Sequence, residues 1–243
     1  MPDRQVSPTQ VYVIGPSSTG KTTLCNAVAK SAGLSTRCYI TEVARQVMRS
    51  KGYTRADVGT IEMQRAIMLA QLEKEANAFA RARWGNNEGL ILSDRSGIDP
   101  IVYAIMTAKD EGEARQKEDM LANIPAFQMA LRRYKDAIFL LLNPVEEWLV
   151  DDGVRNLDNH ERCIKVFRQV LDKFGIKYQE MGAETKRIED RVRLLEERIL
   201  LAQRPHVSQT PATRPRVSKS TSACYPDTEG HRPVTNSGRE MRP

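Results

Sequence analysis

Two kinds of apolar pattern alternate along this chain. The first is a short, nearly unbroken run: Val11-Tyr12-Val13-Ile14, Cys38-Tyr39-Ile40, Leu90-Ile91-Leu92 and Ala137-Ile138-Phe139-Leu140-Leu141-Leu142. Runs this short and rich in branched and aromatic residues read as strands, and the last, apolar throughout, as a strand covered on both faces. Residues 176–179 are a weaker fifth candidate. The second pattern has helical spacing. It predicts helices from residue 23 to about Ser31, stopped by Gly33, over 43–50, and over 60–83, where Met63, Ile67, Ala70 and Lys74 recur with Met68 and Leu72 beside them. Further helices are expected over 100–107, with Asp99 as cap and Pro100 at the first position, across Ile164, Phe167, Val170, Leu171 and Phe174 up to Gly175, and over 188–201. The charged stretch 111–117 reads as a solvated excursion. Strand and helix alternate, so the economical architecture is α/β, a parallel sheet with helices on both faces.

The first strand runs into Gly15-Pro16-Ser17-Ser18-Thr19-Gly20-Lys21-Thr22, with Thr23 opening the helix. This is a complete phosphate-binding loop in the place such a loop needs. Its backbone N–H groups turn inward around an anion, and the helix N-terminus adds partial positive charge. Lys21 reaches the outer phosphates of a nucleoside triphosphate, and the Thr22 hydroxyl is a Mg²⁺ ligand. The loop therefore predicts binding of ATP or GTP with Mg²⁺ through Gly15, Ser17, Ser18, Thr19, Gly20, Lys21, Thr22 and Thr23.

Composition narrows the rest. The 243 residues, 40% hydrophobic, are enough for one α/β domain. The net charge of +6 invites a nucleic-acid partner, but +4 of it lies from Arg204 onward, so the body is near neutral and no basic groove is indicated. That segment is rich in Pro, Ser, Thr and Arg and has little apolar surface to offset the ordering entropy. The expected organisation is a flexible N-terminus over 1–9, a nucleotide-binding domain over 10–203, and a disordered basic tail over 204–243, either functionless or an interaction tail. Its scattered cations favour an anionic lipid surface only weakly. The four cysteines form no C-x-x-C pair and the body holds one histidine, His160, so no zinc cluster is expected. With no apolar run long enough to span a bilayer and no signal peptide, the expected location is cytoplasmic.

A second constellation bears on the reaction. Leu90-Ile91-Leu92-Ser93-Asp94 has the form of a strand ending in a metal-holding acid. In motor-type ATPases a Glu usually follows to activate water, but here Arg95 follows, a cation suited to gripping phosphates or an anionic acceptor. The guanine signature Asn-Lys-x-Asp is missing. Glu42 lies just past the second strand, and in an open parallel sheet the carboxyl ends of strands face the ligand crevice. Glu42 is either a base for an acceptor hydroxyl or a first-turn acid favoured by the helix dipole. Arg45 points to the same crevice or to solvent. In Asp151-Asp152-Gly153-Val154-Arg155, Arg155, and seven residues on Arg162, are either lid cations over bound phosphates or solvated surface. Gln64 could contact a base or sugar, though a helix-surface Gln commonly does nothing. Trp148, Phe127 and Tyr103 read as core or rim, and His160 as an exposed residue of the lid helix.

The segments Gly15–Thr22, Thr41-Glu42-Val43-Ala44-Arg45, Ser93-Asp94-Arg95-Ser96-Gly97-Ile98-Asp99-Pro100 and Asp152-Gly153-Val154-Arg155, in that order and spacing, resemble the phosphate-loop (AAA-like) family uniting the nicotinamide-riboside kinase domain of NadR with the TRPL-translocation-defect proteins. More distantly, an acid after strand two followed by acid-Arg-Ser is similar to deoxynucleoside kinases, where the first acid is the catalytic base. The resemblance covers about residues 10–200. It implies a nucleotide-kinase-like P-loop NTPase fold, a five-stranded sheet of order 2-3-1-4-5, and roles for Lys21, Thr22, Glu42, Asp94, Arg95 and Arg155. It leaves two functions open. One is a small-molecule kinase moving the γ-phosphoryl to a hydroxyl of a nucleoside- or riboside-like acceptor. The other is a regulatory or trafficking protein of the GTP- and phosphoinositide-binding type with little transfer. No riboside-pocket pattern stands out in 111–135.

Overall fold

The computed structural model describes residues 7–84, 89–148 and 157–204; the proposed lid turn 151–155 and the tail beyond residue 204 lie outside the described residues. Five strands form one sheet: β1 (Thr9–Ile14), β2 (Tyr39–Ile40), β3 (Leu90–Asp94), β4 (Ile138–Leu142) and β5 (Tyr178–Met181). All pairings are parallel, in the order β2-β3-β1-β4-β5. The fifth strand starts two residues later than the sequence pattern suggests, because Ile176 is spent on core packing before the ladder begins.

Among the described residues seven α-helices lie between the strands and an eighth follows the last: α1 (Lys21–Ser31), α2 (Ala44–Lys51), α3 (Ile61–Trp84), α4 (Ile98–Met106), α5 (Glu111–Ala122), α6 (Pro125–Tyr134), α7 (Leu157–Lys173) and α8 (Ile188–Gln203). The two-residue period of the strands sorts their side chains between two layers. Val11, Val13, Leu92, Leu140 and Leu142 pack with Leu24 and Val28 of α1 and Leu195 and Ile199 of α8. Tyr12, Ile14, Phe139 and Leu141 face the other way, onto Met68 and Leu72 of α3, Phe127 and Tyr134 of α6 and Phe167 of α7. A smaller cluster joins Ile40 and Ile91 to Val47 of α2 and Met63 and Ile67 of α3. Both faces of β1, β3 and β4 are thereby covered, which is why these strands read as continuous apolar runs.

The stretch expected as a solvated excursion is helix α5. Asp110 caps it by accepting the Glu113 N–H at 2.8 Å. Pairs one turn apart brace it, Arg115–Glu111 on its exposed side and Lys117–Glu113 where it is partly covered, both at 2.8 Å. Leu121 is buried and Lys117 donates to the Gly59 carbonyl at 2.7 Å, so the charges decorate a packed helix. The helix expected to open at Pro100 starts two residues earlier, at Ile98 with Gly97 as its N-cap. Asp99 is inside the first turn, where its carboxylate reaches back to the Ser96 N–H at 2.9 Å.

Candidate functional site

The carboxyl ends of β1, β3 and β2 meet, and three short segments supply the site. Between β1 and α1 runs the phosphate loop. Gly15 has φ +133°, and a Cβ there would lie 2.5 Å from the Leu142 carbonyl oxygen, so only glycine lets the loop leave the sheet here. Thr19 Oγ1 donates to the Pro16 carbonyl at 3.0 Å, tying the loop across its own base. Gly20, left-handed at φ 85°, is the N-cap of α1. Ser17, Thr22 and Thr23 are exposed, while Thr19 and Lys21 are buried. The Lys21 ammonium is folded back on the Pro16 carbonyl and on Thr19 Oγ1. Burial, and then the Arg95 charge nearby, pull its pKa down from 10.5 to about 7. An anion in the loop would reverse that penalty.

At the end of β3, Asp94 Oδ2 accepts the Thr22 hydroxyl at 2.6 Å. Its other oxygen, Oδ1, is buried without a partner. Burial raises the Asp94 pKa, and the Thr22 hydrogen bond partly offsets this. An orphaned carboxylate oxygen beside a hydroxyl is a fitting donor set for Mg²⁺, which keeps several waters and uses one or two protein oxygens alongside substrate phosphates.

Arg95 is the centre of the third segment. Its φ of 85° is left-handed; Ser18 in the phosphate loop, at 62°, is the other such non-glycine among the described residues. That conformation costs an L-residue roughly 1–2 kcal/mol and persists where surrounding structure over-determines it, typically at functional sites. The Arg95 N–H is held by the Val13 carbonyl at 3.0 Å. Its side chain does not stand free to grip phosphates. Nε donates to Glu42 Oε1 and Nη1 to Asp99 Oδ1, both at 3.1 Å, since a largely buried guanidinium requires counter-charges. Glu42 precedes α2 and takes a second cation on Oε2, Arg45 Nε at 3.0 Å, with the Arg45 side chain mostly in solvent. Burial pushes the Asp99 carboxyl up, and Arg95 is the leading influence against it.

Glu42, Arg95 and Asp99 line a cavity of about 150 Å³ with Gln64, Met63 and Tyr103. Gln64 is not a helix-surface residue. It is buried and donates to the Val58 carbonyl at 2.8 Å. Tyr103 stands at this rim with the Arg95 guanidinium 5.9 Å from its ring centre, and Phe127 is core.

Glu42, Asp94, Arg95, Lys21 and Thr22 thus come together as expected. Arg162 does not: it is exposed on α7, whose buried face presents His160, Cys163, Ile164 and Phe167. Arg155 lies outside the described residues. His160, expected in solvent, is buried with Nε2 3.3 Å from the Ser17 carbonyl, because α7 lays this face against the phosphate loop. Arg191 escaped sequence reading altogether. It is 1% exposed and donates to the carbonyls of Thr19 at 3.3 Å, Gly182 at 3.0 Å and Thr185 at 2.6 Å. Trp148 covers its guanidinium at 4.4 Å. The available signal was an arginine in the apolar row Ile188, Leu195, Ile199 of α8.

Sheet order and phosphate loop together define a P-loop nucleotide-binding domain of nucleotide-kinase-like fold. Residues 10–191 match a family described as an AAA domain, well over half of the chain, and the chain belongs to that family. Among curated proteins none matches. Solved structures with the same fold include NadR in complex with NAD and AMP-PNP, at TM-score 0.59 and 18% identity, covering 79% of this chain and 49% of that one. This chain therefore spans about half the length of NadR. Deoxyadenosine kinase from M. mycoides with bound dATP matches at TM-score 0.55 and 14% identity, over 79% of this chain and 100% of the other. Thymidylate kinase from Candida albicans gives 0.51 and 16%, over 80% and 92%. Identities this low speak to fold alone. Among the described residues no helix is long and apolar enough to cross a membrane.

Proposed function

We propose that this chain is a Mg²⁺-dependent phosphotransferase that moves the γ-phosphoryl group of ATP or GTP to a hydroxyl of a nucleoside- or riboside-like acceptor. The observation that carries the reading is the cavity of about 150 Å³ walled by Glu42, Arg95 and Asp99. Binding a triphosphate alone uses the loop, Thr22 and Asp94. A separate cavity with apolar walls, a buried amide at Gln64 and an ion-paired carboxylate suits a second, small, partly flat molecule. NadR, which shares the fold, holds the ATP analogue AMP-PNP, in keeping with a triphosphate donor.

In this reading Glu42, oriented by Arg95 and Arg45, takes the proton of the acceptor hydroxyl. The acceptor oxygen bonds to the γ-phosphorus, the bond from that phosphorus to the β–γ bridging oxygen breaks, and the nucleoside diphosphate leaves. Lys21 and the α1 N-terminus stabilise charge on the outer phosphates, and positioning with electrostatics supplies most of the catalysis. Thr22 and Asp94 would hold Mg²⁺, which when bound would neutralise charge on the phosphate oxygens. Incubation with γ-labelled ATP and GTP against a panel of nucleosides, ribosides and inositol lipids tests this. Label on a nucleoside or riboside is expected. Transfer to no member of the panel, with nucleotide still bound, would mark the chain as a nucleotide-dependent regulator.

A further inference from the structure

The buried stripe of α3 carries two polar residues one turn apart, Gln71 and Glu75, on the side that holds Met68 and Leu72. Glu75 Oε1 accepts from Gln71 Nε2 at 2.9 Å. Its Oε2 accepts from the Tyr134 hydroxyl at 2.6 Å and lies 3.5 Å from that of Tyr12. Two chains of hydrogen bonds lead from this carboxylate. In one, the Gln71 amide donates to Ser93 Oγ at 3.0 Å, and Ser93 Oγ donates to the Arg95 carbonyl at 2.7 Å. In the other, the Tyr134 hydroxyl accepts the Gly97 N–H at 2.9 Å. Both chains end on one turn, and that turn carries Asp94 and the left-handed Arg95. The turn is pressed onto the network: a Cβ on Gly97 would lie 2.9 Å from both Tyr134 Oη and Leu72 Cδ2. The carboxylate is where the two chains meet, accepting the Gln71 amide and the Tyr134 hydroxyl.

We propose that Gln71 and Tyr134, seated on the buried Glu75 carboxylate, are positioning residues that hold the Arg95–Gly97 backbone in the conformation from which the Arg95 side chain bridges Glu42 and Asp99. None of the three touches the bridge itself; they act through the Arg95 carbonyl and the Gly97 N–H. The consequence for phosphoryl transfer rests on the function proposed above, but the positioning does not.

The test reads the bridge directly, by hydrogen exchange of arginine Nε–H groups in ¹⁵N-labelled protein. Arg95 Nε–H is bonded to Glu42, and Arg191 Nε–H, bonded to the Thr185 carbonyl, is a buried control far from the network in sequence. Tyr134→Phe removes one hydroxyl and keeps the ring, which packs on Tyr12 and Phe139 at 4.9 and 5.2 Å. Gln71→Met removes the amide that donates both to Ser93 Oγ and, at 3.3 Å, directly to the Arg95 carbonyl, and decides the matter if the first variant does not fold. Exchange at Arg95 is expected to quicken about tenfold in each variant, the effect of losing a hydrogen bond, with Arg191 unchanged. Wild-type protection of Arg95 in both variants would overturn the proposal, as would equal acceleration at Arg191, which marks general loosening. A wild-type Arg95 signal that exchanges like an exposed arginine would overturn it at the outset. No outcome depends on finding an acceptor.

Discussion

Lys21 and Glu42 are the residues whose chemistry is most exposed to test. The Lys21 ammonium is buried against its own loop with its pKa brought down to about 7, so it gains most from a ligand that supplies negative charge where it lies. Lys21→Ala should therefore weaken triphosphate affinity much more than monophosphate affinity, measured by calorimetry in Mg²⁺. Equal losses for the two nucleotides would remove the assignment to the outer phosphates. Glu42 lies ahead of α2, whose N-cap is Val43, and its carboxylate is spent on Arg95 and Arg45. A carboxylate of the first turn would be worth only ~0.3–1 kcal/mol of stability, whereas a positioned base contributes ~10²–10⁴ in rate. Glu42→Gln should leave Mg-triphosphate affinity within a few-fold and cut transfer by at least ~10². A variant with wild-type transfer to a genuine acceptor would end the case for Glu42 as base.

At the scale of elements, α8 belongs to the site although no residue of it was expected there. Arg191 ties the α8 N-terminus, the turn after β5 and the phosphate loop together by three carbonyls, beneath Trp148. With the Thr19 carbonyl held outward, the following N–H groups are left to face an anion. Arg191→Met keeps an unbranched stem and removes the donors. The loss of unfolding free energy in urea should be roughly 1–3 kcal/mol, the cost of buried carbonyls left unpaired. Weaker triphosphate binding should accompany it, together with a shift in Trp148 fluorescence. Loss of stability with unchanged nucleotide affinity would confine Arg191 to a packing role. Helix α3 works in the same way, its polar Gln64, Gln71 and Glu75 all lying on the buried side.

For the whole molecule, Glu75 ties stability to pH. Burial lifts its pKa from 4.5 to about 7, against the Tyr134 and Gln71 hydrogen bonds and the Arg133 charge and with the Asp99 charge. The Tyr12 hydroxyl faces it from β1. Between those two pH values the folded chain holds a proton that the unfolded chain has released, so Glu75 makes stability fall as pH rises through this window. Glu75→Gln has no such titration. The wild-type advantage in unfolding free energy over this variant should therefore shrink by about 3 kcal/mol from acid to neutral pH. Denaturant titrations of both proteins across that range check it, and a constant difference would mean that Glu75 keeps its solution pKa.

What could be read without a structure was whatever is written in contiguous residues. The phosphate loop, the strands β1, β3 and β4, and the acid closing β3 are local patterns, and local sterics and burial on both faces suffice to specify them. The strand order followed from resemblance to a family whose members share those motifs. Tertiary structure alone decided where polar side chains in apolar rows turn. A periodic pattern tells which face of a helix is buried but not which polar group a distant segment will satisfy. Arg191 finds Thr19 across 172 positions, and Tyr134 finds Glu75 across 59. His160 and Gln64 went inside for the same reason, each meeting a backbone carbonyl brought to it by the fold. Arg95 was legible as a cation beside the acid that closes β3. That it bridges two carboxylates from a left-handed backbone depends on Glu42, 53 residues away, and on a turn held from beneath by α3 and α6.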